Sequence, residues 1–566
     1  MSTLCVRRHL PFSGGVRGHL RRPSLWTGVA AVTALVVMTP ILTVLGYLFH
    51  PGTESWQHLA ETVLDDYVRN SLLLTAGVAV GAGSIGITTA WLTSMYRFPG
   101  HRLFVWALLL PLSFPAYILA YTYTGMLEPA GPVQGWIRST FGLAYGEYWF
   151  PEVRSLGGAV VMLSLVLYPY VYLLARASFL EQSVCALEAS RSLGCGPWRS
   201  FFLVALPLAR PAIVVGLSLA LMETLADFGT VDYFGVSTFT TGIFRTWYGL
   251  YDEVAAAQLA ALLMLFVLVL LGLERASRRR MRFHHATNRH RALPQQRLRP
   301  FAGGLAAVAC SLPVAFGFLL PFGQLAVWMV QTGEQALDAG FFALARNSFL
   351  LAGGAAVIAL LVALILGYGR RLHPTRWLRA LVQVAGMGYA IPGMVIAIGV
   401  LIPFGWLDNA IDGWMRERFG FATGLLLSGT LFILLFAYLV RFLTISLQTV
   451  EAGLGRIRPA MDEAAWSMGA SRLATLRRVH LPLMRGSLLT ALLIVFVDVL
   501  KELPATLVLR PFNFNTLAVR AYELASDERL ADASSAALTI VLVGIVPVVL
   551  LSLTIAHGRA GHARPA

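Results

Sequence analysis

The sequence predicts an all-α, polytopic membrane protein made of two tandem six-helix repeats. Three observations predict it. About twelve apolar runs are long enough to span a bilayer, the connecting segments alternate between basic and acidic, and a set of residues recurs about 275 positions downstream. Of the 566 residues, 57% are hydrophobic and 13% charged. That excludes a disordered chain and argues against a soluble domain, whose charged share is nearer a quarter. The 44 basic residues against 29 acidic ones give a formal charge of +15. In a soluble protein this excess points to nucleic acid. Here the basic residues gather in short segments between apolar runs, as membrane topology dictates. Cys5, Cys185, Cys195 and Cys310 form no CxxC pair and no metal spacing, so neither a disulfide framework nor a zinc site follows.

In chain order, residues 1–25 form a basic N-terminus expected in the cytoplasm. The run Trp26–Phe49 is longer than a signal-peptide core and ends without an A-x-A site, so it reads as a retained first span. The first repeat covers 26–273, with spans near 26–49, 71–95, 102–126, 157–180, 212–234 and 254–273. A basic linker follows at 274–300. The second repeat covers 301–556, with spans near 301–330, 348–369, 377–405, 422–447, 486–509 and 535–556, and residues 557–566 form a tail. "YRFPGHR" (96–102), the linker and "GRRLHPTRWLR" (369–379) are basic, whereas 51–66 and 406–414 are acidic. The positive-inside rule places the basic set and both termini in the cytoplasm of a bacterial inner membrane. The histidines of "FHHATNRHR" and His373 lie in these basic loops, with no carboxylate or cysteine to complete a metal site.

"RNSLLLTAG" (69–77) returns as "RNSFLLAGG" (346–354), and Pro115 returns as Pro392. An even number of spans per half gives the copies one orientation, related by a pseudo-two-fold axis along the membrane normal with a pathway between them. Pro111, Pro115 and Pro392 interrupt apolar runs at corresponding places, as hinges or as packing kinks.

The most specific repeat is polar. "LEASRSLGCGPWRSFFLVALPL" (187–208) answers to "DEAAWSMGASRLATLRRVHLPL" (462–483). Glu188 matches Glu463, Ala189 Ala464, Gly194 Gly469 and Pro207 Pro482. Each copy predicts a short amphipathic helix, a chain reversal at glycine and a second short amphipathic stretch, after which proline begins the next span. This element resembles the EAA loop of binding-protein-dependent ABC importer permeases, and the paired loops with the six-plus-six layout extend the resemblance over nearly the whole chain. The resemblance implies that Glu188, Ala189, Gly194, Pro207, Glu463, Ala464, Ala465, Gly469 and Pro482 mark surfaces that couple to two copies of a separate ATPase subunit. It also implies a periplasmic solute-binding protein as partner. The chain has one lysine, Lys501 in "VLKELPA", so a phosphate-binding G-x-x-x-x-G-K-[ST] loop is impossible. ATP and magnesium therefore belong to partner subunits, and this chain is expected to be a transport subunit without a bound cofactor.

After each EAA loop comes an acidic pair: Glu223 and Asp227, matched by Asp498 and Glu502. Four residues apart, each pair is expected on one face of a helix, deep in the bilayer. Ionisable groups there line a pathway, or pair with Lys501 and arginines to lock helices. Carboxylates suit a hard cation. The flanking "ADFGTVDYFGV" and "KELPATLVLRPF" look like those of fused ferric-iron importer permeases, which makes ferric iron the expected cargo. Thiamine, polyamines or phosphonates are the alternatives, and a proton-driven secondary transporter using the same acids is the rival class. An intramembrane enzyme lacks support, because no Ser/His dyad or HExxH lies in the spans.

Overall fold

A computed structural model of the chain describes residues 25–181, 196–279, 295–333 and 338–557. In the first half, α1 (Leu25–Gly46) leads through α2 (Glu54–Thr62) to α3 (Leu64–Met95). Then come α4 (His101–Ala107), α5 (Ala116–Leu127), α6 (Pro132–Phe141), α7 (Leu156–Glu181), α8 (Trp198–Ala226), α9 (Gly229–Tyr233), α10 (Phe239–Gly249) and α11 (Glu253–Arg279). The second half comprises α12 (Pro300–Thr332), α13 (Ala339–Leu372), α14 (Arg376–Ala385), α15 (Gly393–Phe419), α16 (Leu431–Gly455), α17 (Pro459–Ser467), α18 (Arg472–Leu500), α19 (Pro504–Leu509), α20 (Leu517–Ser526) and α21 (Ser534–His557). Among the described residues the only strands are Tyr96–Arg97 and Gln296–Arg297, which pair in parallel and tie the end of the linker to the loop after α3.

The twelve apolar runs fall largely on helix, although 422–430 precede α16, and ten helices among the described residues are long and apolar enough to cross a membrane. Four expected spans are not single helices: those near 212–234 and 486–509 end their long helices at Ala226 and Leu500, and two more are bent or divided. The run near 102–126 is bent by 91° between His101–Ser113 and Ala116–Phe141. The run near 377–405 divides into α14 and α15 around a tight turn at Gly388–Ala390. The cause is local. Pro115 and Pro392 sit in extended backbone at the N-caps of α5 and α15, and the residue before each, Phe114 and Ile391, is extended too.

Two other expectations are corrected by the helix ends. Pro207 and Pro482 do not begin spans. Each is the second residue after a π turn (Phe201–Ala205, Leu476–His480) inside one continuous helix, α8 or α18. Lacking an N–H, proline cannot satisfy the carbonyl four residues back, and the wider turn absorbs the mismatch. The acidic pairs do not share helix faces either. α8 ends at Ala226 and α18 at Leu500, so Asp227 and Glu502 lie beyond the breaks.

α3, α7 and α8 pack together in the first half, and α13, α16 and α18 in the second. Lipid offers helices no hydrophobic drive to associate, so close backbone approach carries the packing. A Cβ on Gly86 of α3 or Gly216 of α8 would come within 3 Å of α7 backbone between Tyr168 and Tyr172. The halves also exchange their ends. α1 packs on α14 and α15, α21 on the turn Leu110–Ser113, α11 on α15, and α12 on α4 and α5. Each broken span is therefore held by the opposite half. A stripe on α1 (Ala30, Ala34, Val37, Ile41, Val44) is buried there, while Val32, Leu35 and Leu42 stay exposed to lipid.

The repeated "RNS" has a structural reason. Ser71 Oγ accepts the Phe239 N–H (3.4 Å) and Ser348 Oγ the Leu517 N–H (2.8 Å), so the motif anchors the first residue of α10 and of α20. Asn70 Nδ2 donates to the Ser237 carbonyl just before α10 (2.9 Å).

Candidate functional site

The breaks after α8 and α18 meet at one cavity between the halves, with a volume of about 130 Å³. Its wall includes all five expected pathway residues, Glu223, Asp227, Asp498, Lys501 and Glu502, together with the hinge residue Pro115. Arg441 of α16 also lines it and was not anticipated. The signal was present: a lone arginine inside an apolar span is a functional candidate by default.

The same local device holds one acid in each half. Asp227 Oδ1 accepts the N–H groups of Thr230 (3.1 Å) and Val231 (3.2 Å), and Oδ2 accepts the Thr230 hydroxyl (3.0 Å). Glu502 Oε1 accepts the Ala505 N–H (2.9 Å), and Oε2 accepts the N–H and hydroxyl of Thr506 (3.0 and 2.6 Å). Both carboxylates thus cap the next short helix, α9 or α19, whose N-terminal N–H groups favour negative charge.

The halves differ in how the acids are neutralised. Lys501 Nζ lies 2.8 Å from Asp498 Oδ1, and Arg441 Nη1 lies 3.5 Å from Glu502 Oε1. Among the described residues neither Glu223 nor Asp227 belongs to an ion pair. The wall therefore carries four carboxylates against two cations, with the excess on the first half. Gly393, just after the Pro392 break, lies against the Arg441–Glu502 pair. A Cβ there would sit 2.3 Å from Arg441 Nη1 and 2.8 Å from Glu502 Oε1. Among the described residues no group of three or more His, Cys, Asp or Glu is arranged to hold a metal ion.

Side-chain contacts also join the halves beside the cavity. The Tyr522 hydroxyl donates to Asp232 Oδ2, Tyr248 to the Val508 carbonyl (3.1 Å) and Tyr117 to the Ala518 carbonyl (3.5 Å). Phe228 and Tyr522 rings lie 5.9 Å apart, and a Cβ on Gly229 would strike Leu503 at 2.7 Å. Of these, Tyr117, Phe228, Gly229 and Leu503 line the cavity and form its roof. Pro111 is buried in the turn before α5, 3.0 Å from where a Cβ on Gly317 of α12 would stand.

At the opposite end, the second EAA segment folds as α17, reverses at Gly469 and re-enters helix at Arg472. Gly469 has φ of 83° and closes the helix by donating to the Trp466 carbonyl (3.0 Å), while Ala470 donates to Ala465 (3.0 Å). Glu463 and Ala464 are exposed. Ala465 is 3% exposed and packs inward, so it supports the helix from behind and offers no docking surface. Met461, Trp466 and Met468 are the large apolar side chains exposed around it, unremarked in the sequence. Glu188, Ala189 and Gly194 of the first EAA segment lie outside the described residues.

Comparison with known proteins agrees with this architecture. The family model described as "Binding-protein-dependent transport system inner membrane component" matches twice, at residues 82–283 and 355–559. The chain is 27% identical to the Fe(3+)-transport system permease protein FbpB 2 of Haemophilus influenzae, over 94% of this chain and 98% of that one. It is 23% identical to the ferric transport system permease protein FbpB of Actinobacillus pleuropneumoniae, over 77% of this chain and 64% of that one. It is also 28% identical to the molybdenum transport system permease protein ModB of Haemophilus influenzae, over 33% of this chain and 79% of that one. Two tandem matches covering most of the chain, on two halves that share one broken-span architecture, place this protein in the family of binding-protein-dependent transport system inner membrane components.

Proposed function

We propose that this chain is the complete membrane pathway of an ATP-driven importer for ferric iron. A periplasmic binding protein delivers the cargo to the roofed side, two ATPase subunits act on the EAA helices, and both termini lie in the cytoplasm. The observation that carries the cargo assignment is the charge of the central cavity. Its wall holds two more carboxylates than cations. Such a wall favours a hard cation and repels an oxyanion such as molybdate or sulfate. The relatives named for ferric iron support the same choice, and they match over most of the chain rather than part of one half.

The free acids Glu223 and Asp227 line the passage, while Asp498 and Glu502 are held by Lys501 and Arg441 and serve packing as much as passage. A site without a coordination cage suits transport, because a tightly held ion would leave slowly. Glu463, Ala464 and the exposed Met461, Trp466 and Met468 form the docking face for an ATPase.

The test is uptake of radiolabelled ferric iron by proteoliposomes holding this chain, its ATPase and its binding protein. ATP-dependent, vanadate-sensitive uptake of iron but not of molybdate is expected. Uptake driven by a proton gradient without ATPase would overturn the reading in favour of a secondary transporter.

A further inference from the structure

Asp462 immediately precedes the docking face and points the other way. It is 6% exposed and bonded on both oxygens. Oδ2 accepts from Arg371 Nε at 2.8 Å, and Oδ1 meets His480 Nε2 at 2.6 Å. The two partners lie on different membrane helices. Arg371 stands at the cytoplasmic end of α13, and His480, 1% exposed, stands in the π turn of α18. Arg371 also donates to the carbonyls of Leu454 (2.5 Å) and Ile457 (3.0 Å), which close α16. The Tyr368 hydroxyl donates to the Arg472 carbonyl at 2.6 Å, and its ring lies 5.5 Å from His480. One carboxylate thus ties the EAA helix α17 to α13, α16 and α18, the three packed helices of the second half. α18 then runs directly to Asp498 at the cavity.

The three residues do not recur in the sequence of the first half. At the repeat spacing, Leu187 stands for Asp462, Ala205 for His480 and Ser94 for Arg371. The nearby Arg97 donates to Gln295 instead, at 3.2 Å. The repeat that governs the EAA spacing does not extend to these three positions.

We infer that Asp462, His480 and Arg371 form a clamp that converts movement of the second EAA helix into movement of α18. The three are positioning residues: they touch neither cargo nor nucleotide. A buried carboxylate hydrogen-bonded on both oxygens resists rearrangement, so α17 and α18 shift as one body. The inference rests on the ATPase-coupled reading above.

The test uses the assembled transporter in proteoliposomes, measuring cargo moved per ATP hydrolysed. First, the unmodified complex must hydrolyse ATP in response to its binding protein; if it does not, the coupling reading fails before the clamp is tested. Given that response, His480→Ala is expected to lower the ratio of transport to hydrolysis about tenfold while hydrolysis continues. His480→Gln keeps a donor for Asp462 and is expected to retain most of the ratio. Unchanged ratios in both His480→Ala and Asp462→Ala would overturn the clamp. So would parallel loss of transport and hydrolysis at constant ratio, which marks a residue that only stabilises. If Asp462→Ala does not assemble, the two His480 variants decide alone.

Discussion

Replacing Arg441 with methionine removes a charge from the cavity wall while keeping an apolar stem of similar length. At 3.5 Å from Glu502, the pair attracts by about 5 kcal/mol at an effective dielectric constant of about 20. Burial of both groups offsets part of that, and the loss of one partner of a buried pair costs about 3–5 kcal/mol. Glu502 keeps three bonds, from the N–H groups of Ala505 and Thr506 and the Thr506 hydroxyl. These place the expected destabilisation at the low end, about 3 kcal/mol. The assay is denaturation of the purified chain in mixed micelles, with Arg441→Met, Glu502→Gln and the double variant in one cycle. The double variant is expected to recover about 2 kcal/mol relative to the sum of the singles. Its transport is expected near the unmodified rate, because neutralising both partners leaves the net charge of the cavity unchanged. By contrast, Glu223→Gln is expected to abolish transport with normal assembly. Additive single effects, within about 0.5 kcal/mol, would refute the pairing. Transport loss in the double variant as severe as in Glu223→Gln would refute the division of labour between the acids.

Gly393→Ala drives a methyl into the same pair, at 2.3 Å from Arg441 Nη1; a loss of about 1–3 kcal/mol from overpacking is expected in the same denaturation assay. Tyr522→Phe removes the donor to Asp232 beside the roof, so hydrolysis without binding protein is expected to rise about tenfold, for a hydrogen bond to a charged group worth about 1.5–3 kcal/mol; an unchanged basal rate would count against the roof as a gate. Gly469→Val places a β-branched residue at φ of 83°, at a cost of about 1–3 kcal/mol, and co-purification of the ATPase is expected to fall. Burial opposes ionisation of Asp462, but the bonds from Arg371 and His480 more than offset it and hold the carboxyl below its ordinary value. Its stabilising contribution is therefore complete above pH about 4 and lost as pH falls further. Protection of the 459–467 amides, taken relative to the intrinsic exchange rate at each pH, is expected to fall only on the acid side.

The fold was legible because the bilayer demands about 20 apolar residues per crossing and the repeat supplied the symmetry. The broken spans were legible only as interruptions. Hydropathy averages over the turns at Leu110–Ser113 and Gly388–Ala390, which are themselves apolar. For the acids, alignment of the repeats matched Glu223 with Asp498 and Asp227 with Glu502, and all four line one cavity. It assumed helical continuity between them, although Pro504 just after Glu502 signals a helix start. Arg441 stood in plain view in "YLVRFLT". The Asp462 cluster was not legible, since its members lie 18 and 91 residues apart and share no motif.

The exchange of ends between the halves has a consequence for biosynthesis. The buried stripe of α1 meets its main partners, α14 and α15, only when they emerge roughly 350 residues later. At about 5–20 residues per second, that leaves the first span waiting in lipid for some tens of seconds with its small-residue face open. Gly399 of α15 meets the Pro40 carbonyl so closely that a Cβ would lie 2.4 Å away. The earliest helix inserted is thus among the last to dock, and a ribosome that stalls midway leaves half a membrane protein with an orphaned leading helix, open to membrane proteases.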